Sequence, residues 1–178
     1  MKISVVGVGD LTKISRYTPL KEKEVEILIS DIAKLIAKKG HEIVIIPDRG
    51  IPIELAKIYK KNNGKTVYGV IPTKDKDYGV ERWKPYHEFI DKKIEFDSWY
   101  DVDGKIASQG EICVCIGISP GVMRDITVLK YQWKYLNCKT KLIIFRNTIS
   151  QPLMPEIEEE FKEHLFYISS VKELEKFL

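Results

Sequence analysis

A doubly wound α/β fold on a mainly parallel sheet is predicted by three observations on this sequence. Short apolar runs alternate with longer segments of helical period. The runs are continuous, as in strands covered on both faces. Glycine, proline and asparagine punctuate the junctions, where a chain must turn between elements.

The elements follow in order. Residues 3–7 form a buried strand that ends in Gly7-Val8-Gly9-Asp10. Over 21–39, Val25, Leu28, Ile29, Ile32, Leu35 and Ile36 recur at spacings of three and four, and Gly40 stands where a left-handed helix cap belongs. Residues 42–46 are a second strand, closed by Pro47-Asp48-Arg49-Gly50. Pro52 suits the first turn of a helix that Asn62-Asn63-Gly64 stops. The third strand spans 66–71, and 111–116, 141–145 and 165–168 supply three more. Helices are expected over 121–136 and 155–163, and 171–177 closes the chain.

One segment breaks the rhythm. Residues 73–103 are dense in charge and in aromatics: Tyr78, Trp83, Tyr86, Phe89, Phe96, Trp99 and Tyr100. They read as a helix near 85–92 with packed rings, or as a ligand lid or dimer surface.

The 178 residues, 44% hydrophobic and 31% charged, suit a single globular domain over 1–178. Twenty-nine basic against 26 acidic residues leave +3, too balanced to indicate nucleic acid. No apolar stretch reaches the roughly 18–20 residues of a membrane span, and the opening residues read as a strand instead of a signal peptide. Cys113, Cys115 and Cys138, with His41, His87 and His164, lack zinc-ligand spacing, so no metal and no required cofactor are expected. The cysteines read as small buried residues in a reducing cytoplasm. Abundant Lys, Glu and Ile lean toward a thermophilic source.

In parallel sheets, ligands sit beyond the C-terminal strand ends, where the strand order reverses. Three loops meet that description. Gly7 and Gly9 let backbone approach a ligand, with Asp10 beside them, although the full dinucleotide glycine spacing is missing. Gly50 stands at a helix start, where free N–H groups favour an anion, and Arg49 offers a bidentate phosphate contact. In Gly117-Ile118-Ser119-Pro120-Gly121-Val122-Met123-Arg124-Asp125, Ser119 can cap the following helix while Gly121 keeps its entrance open. Asp125, one turn in, can accept from a ribose hydroxyl or act as a base.

Residues 43–47, the Gly50 helix and Gly64-Lys65-Thr66-Val67-Tyr68-Gly69-Val70-Ile71-Pro72 resemble the Lonely Guy (LOG) family, also labelled lysine-decarboxylase-like, with its GGxVIGVIP strand. The resemblance covers roughly residues 2–146, and it extends to the molybdenum-cofactor carrier proteins of the same Rossmann-like fold. It implies a three-layer sandwich and a homodimer that binds a nucleoside monophosphate. In the family's hydrolases, water cleaves the bond between base and ribose 5′-phosphate. The signature PGGxGTxxE falls over residues 117–125, where Gly121 matches the glycine of GT and Asp125 the final Glu.

The departures shape the expected function. Ile118 and Ser119 replace the paired glycines, Val122 replaces the threonine, and the family's RKxxM arginine would fall near Val102-Asp103, where none stands. Arg49, Arg82 and Arg124 are the candidates to substitute. With its cradle loops present and its catalytic pair incomplete, the chain reads as a carrier or sensor of a nucleotide or phosphorylated cofactor. Gly7, Gly9, Asp10, Arg49, Gly50, Ser119, Gly121 and Val122 are its expected ligand-binding residues. The alternatives are a phosphoribohydrolase in which Asp125 is catalytic, and a non-catalytic partner-binding protein that uses the aromatic segment.

Overall fold

The computed structural model describes the backbone of residues 1–178 and every side chain except those of Asp77 and Tyr78. Tyr78, one of the aromatics singled out above, therefore lies outside the described residues.

Seven strands form one sheet in the order β4-β3-β2-β1-β5-β6-β7. They are β1 (Lys2–Gly7), β2 (Glu42–Ile45), β3 (Val67–Pro72), β4 (Lys92–Phe96), β5 (Ile112–Ile116), β6 (Lys141–Phe145) and β7 (Leu165–Ile168). Every neighbouring pair is parallel, so the sheet is wholly parallel. The register of β1 sets Val5 opposite Ile45 on one side and Gly7 opposite Ile116 on the other.

The continuous apolar runs arise because helices cover both faces. Alternate β1 residues show it: Ile3 and Val5 join one buried cluster with Ile29, Ile32 and Leu55, while Val6 joins another with Val102, Ile126 and Leu129. On the first face lie α1 (Thr12–Tyr17), α2 (Glu22–Lys38), α3 (Ile51–Lys61) and, late in the chain, α8 (Val171–Leu174). Two short turns, α4 (Glu81–Trp83) and the 3-10 turn Lys84–Phe89, lead to the sheet edge. The second face is covered by α5 (Trp99–Lys105), α6 (Pro120–Leu136) and α7 (Pro155–Phe161). The result is a Rossmann-like three-layer sandwich. Gly40 takes the expected left-handed conformation, with φ of +69°.

The segment 73–103 corrects the expected helix and adds a strand. No helix spans 85–92, and residues 92–96 are instead the edge strand β4, paired to β3 from Tyr68↔Lys92 to Pro72↔Phe96. Pro85 sits in the first turn of the 3-10 segment Lys84–Phe89, where its missing amide hydrogen costs no bond. In β4, Lys92, Lys93 and Glu95 are exposed, which blunts the edge against pairing with another sheet but erases the apolar signature of a buried strand.

Candidate functional site

Strand order reverses between β1 and β5, and the loops following β1, β2, β5 and β6 meet over their C-terminal ends. Their close approach depends on glycine. Gly50 adopts φ of +74°, and a Cβ there would lie 2.4 Å from the Val8 carbonyl oxygen and 2.5 Å from Gly9 Cα. The β1–α1 and β2–α3 loops thus touch backbone to backbone, joined by the Ile51 N–H donated to the Val8 carbonyl at 3.1 Å. A Cβ on Gly7 would strike the Ile116 carbonyl at 2.8 Å. Gly117, at φ of +75°, donates its N–H to the Thr148 hydroxyl at 2.8 Å, which fastens the β5 loop to the β6 loop.

Between these loops lies a polar cavity of about 450 Å³. The start of α6 forms its floor. Ser119 caps that helix by accepting from the Val122 N–H, and Pro120 occupies its first turn. Gly121 has φ outside the left-handed region, and a Cβ there would meet nothing closer than Ser119 Oγ at 3.9 Å. Its bare backbone therefore answers no packing demand and leaves room in the cavity. The positive end of the α6 dipole points here, and the Lys13 and Arg49 side chains line the same space.

Four carboxyl groups, Asp10, Asp48, Asp103 and Asp125, share the same lining. Asp125 is only 5% exposed, lines the cavity, and its Oδ1 finds no hydrogen-bond partner among the described residues. Burial, reinforced by the nearby Asp103 charge, pushes its carboxyl well above the ordinary carboxylate range, which favours the protonated form. Asp103, on α5, is pushed up to about 6, chiefly by burial, against the pull of Arg124 and a hydrogen bond from the Trp99 side chain. Packing sets the two helices together: Gly104 lies against Val128 of α6, and Gln132 Nε2 donates to the Gly104 carbonyl at 3.0 Å.

A side-chain chain stiffens the wall beside α6. The Arg82 guanidinium is ion-paired with Asp48 and lies 4.9 Å from the centre of the Trp99 ring. Trp99 in turn reaches Asp103. Arg124 turns away, placing its guanidinium over Tyr100 at 4.6 Å and donating to the Tyr100 carbonyl at 3.3 Å.

Beside the polar cavity, sharing Lys13, Ser119 and Pro120 with it, runs an apolar groove of about 480 Å³ between α1 and residues 148–157. Ile14, Ile118, Met123 and Leu153 line it, with the exposed Tyr17 and Met154 among its walls.

Of the residues singled out from sequence, Gly7, Gly9, Asp10, Arg49, Ser119, Gly121, Val122 and Asp125 are gathered around the one polar cavity. Gly50 is not among its lining residues; it permits the loop contact behind them, and the first α3 amide is already donated to Val8. Asp10 accepts from both the N–H and the hydroxyl of Thr12 at 3.0 and 2.8 Å, which holds its carboxyl below the usual range and charged. Sequence reasoning passed over Lys13, and it named Asp48, Trp99 and Asp103 without assigning them to the site. Of the three arginines named as substitutes, Arg49 and Arg82 line the cavity. Cys113 and Cys115 are buried in β5, where burial pushes both thiols up and keeps them protonated. Among the described residues no His, Cys, Asp and Glu group is placed to hold a metal ion, and no helix is long and apolar enough to cross a membrane.

A scan against protein-family models and a search of curated proteins return no match. Solved structures do match. The molybdenum cofactor carrier protein of Chlamydomonas reinhardtii aligns over 99% of this chain and 94% of its own, with a TM-score of 0.67 at 19% identity. What it shares with this chain is the fold. TM1055, a structural-genomics target, gives a TM-score of 0.69 at 16% identity over 99% and 96% of the two chains. A molybdenum cofactor binding protein from the phototrophic bacterium Rippkaea orientalis gives 0.65 at 15% identity, covering 99% and 93%. The Rossmann-like architecture is therefore shared with these three proteins.

Proposed function

We propose that this chain, acting as one domain over 1–178, is a carrier or sensor that binds a phosphorylated cofactor or nucleotide in the polar cavity. The observation that carries the reading is Asp125. A buried carboxyl with an unpartnered oxygen costs roughly 1–3 kcal/mol, a penalty that a bound ligand relieves. Around it, the start of α6 and the Lys13 and Arg49 side chains suit a phosphate, and Gly9 and Gly121 let backbone approach it. The structural neighbours named for molybdenum cofactor binding support a carrier of a cofactor of that kind.

The phosphoribohydrolase alternative asks Asp125 to be a charged base or to stabilise a sugar cation, and its burial opposes that charge. The partner-binding alternative relies on the aromatic segment, yet Arg82, Trp99 and Asp103 from that segment wall the ligand cavity. The expected homodimer belongs to this reading. Exposed Tyr100, Tyr131, Tyr135 and Leu136 form a continuous apolar face on α5 and α6 suited to a second copy.

Isothermal titration with ribose 5-phosphate, nucleoside monophosphates and a phosphorylated pterin tests the reading. Micromolar to millimolar binding, weakened by Arg49→Ala and Lys13→Ala, is expected, with no free base released. Absence of any binding refutes it, and base release that stops in Asp125→Asn installs the hydrolase in its place.

A further inference from the structure

We propose that Asp103 selects the ligand of this crevice by accepting two hydrogen bonds from an adjacent N–H and amino group, the edge that guanine and pterin rings share. The inference rests on the proposed binding function and names the ligand class within it.

The cavity lining carries groups of both signs. Lys13, Arg49 and the start of α6 offer positive charge, and four carboxyls stand among them. Asp10 is engaged by Thr12 and Asp48 by Arg82, which leaves Asp103 and the buried Asp125 to a ligand. A ligand that is anionic throughout would meet the Asp103 carboxylate unfavourably. One that carries an anionic group together with hydrogen-bond donors satisfies both kinds of group.

Asp103 is also held for such a role. Its carboxyl receives a hydrogen bond from Trp99, and Trp99 is braced by Arg82, itself ion-paired with Asp48. A carboxylate offers about four lone-pair directions, so the bond from Trp99 orients the group and leaves acceptors for the cavity. Behind it, Asp125 Oδ1 is nine-tenths buried and unpartnered among the described residues. A protonated Asp125 has both a donor and an acceptor to give, which suits the carbonyl or ring nitrogen that flanks the same heterocycle edge. Trp99 contributes an aromatic ring to the wall.

The experiment is calorimetric titration of the full chain and of Asp103→Asn with GMP, AMP, neopterin monophosphate and ribose 5-phosphate at pH 7.5. GMP or the pterin phosphate should bind the native protein about tenfold or more tighter than AMP, the discrimination expected of a good two-bond contact. Which of the two is tighter separates a guanine nucleotide from a pterin as the natural source. In Asp103→Asn the preference should collapse or turn toward AMP, because an amide presents the donor and acceptor that adenine matches. Ribose 5-phosphate should bind both proteins equally, which also shows that the variant is folded. Equal affinity for AMP, GMP and the pterin in the native protein overturns the inference while the phosphate-binding reading stands. So does a preference unchanged by Asp103→Asn. Failure of all four ligands on the native protein removes the binding function, and this selectivity falls with it.

Discussion

The hydroxyl of Thr148 accepts the Gly117 N–H at 2.8 Å and donates its own hydrogen to the Phe145 carbonyl at 2.7 Å. One buried side chain thus ties the loop after β5 to the end of β6 and sets where the α6 cradle begins. Thr148→Val keeps the shape and removes both bonds, leaving a buried N–H and carbonyl unpaired. A loss of about 2 kcal/mol is expected, or a fall in Tm of roughly 4–8 °C by scanning calorimetry. Thr148→Ser, which retains the hydroxyl, should recover most of the loss. Equal stability of the Val and Ser variants would show that the bonds do not hold the loop.

The glycines of the crevice separate into two kinds, and alanine distinguishes them. Gly50→Ala forces a Cβ within 2.4 Å of the Val8 carbonyl in a conformation glycine alone adopts freely. We expect about 3 kcal/mol or more of destabilisation, read from denaturant unfolding. Gly121→Ala meets open space in a helical conformation, so stability should hold or rise by up to about 1 kcal/mol. Its methyl group nevertheless enters the cavity, and phosphate affinity should fall severalfold. A Gly121→Ala protein that binds ribose 5-phosphate as well as the native one would remove that backbone from the cradle.

Much of this architecture is legible in the amino-acid sequence. The α2 stripe from Val25 to Ile36 has one solution, a helix against a sheet, and β1 and β5 announce their double burial by unbroken apolar runs. The strand β4 is hidden because an edge strand with Lys92, Lys93 and Glu95 in water carries no such run. The candidate site divides in the same way. Gly7, Gly9, Ser119 and Gly121 are visible because loops at strand ends have local signals. Asp103 is not, and Arg82 is named only as one of three candidate arginines, because their place in the cavity depends on how α5 packs on α6 and on where the turns at 81–89 lie. The density of charge and aromatics over 73–103 marks the right segment without revealing its geometry.

Trp99 should report the ligand. Its ring lines the cavity under the Arg82 guanidinium, so filling the space changes its surroundings. Trp133 lies elsewhere, stacked on His164 at 4.5 Å and edge-on to Phe161 at 5.2 Å. A saturable change in tryptophan fluorescence is expected on titration with a binding nucleotide. It should vanish in Trp99→Phe and persist in Trp133→Phe. Persistence of the signal in Trp99→Phe would place the ligand away from this wall.

The two raised carboxyls give a stability profile whose sign is opposite to that of ordinary paired aspartates. Folding holds a proton on each that the unfolded chain, with carboxyls near 3.8, has already released. Above that value the unfolded state binds fewer protons, so their contribution to stability declines as pH rises. For Asp103 the decline spans 3.8 to about 6, and Asp125 contributes with the same sign. Asp125→Asn mimics the protonated form and carries no such linkage. Its Tm relative to the native protein should therefore increase from pH 4 to pH 7, with the variant the more stable at pH 7. Asp103→Asn should show a similar gain that is complete near pH 6 to 7. Melting curves of the three proteins at half-unit intervals decide it, and parallel profiles for native and Asp125→Asn would mean that Asp125 is ionised in the folded protein.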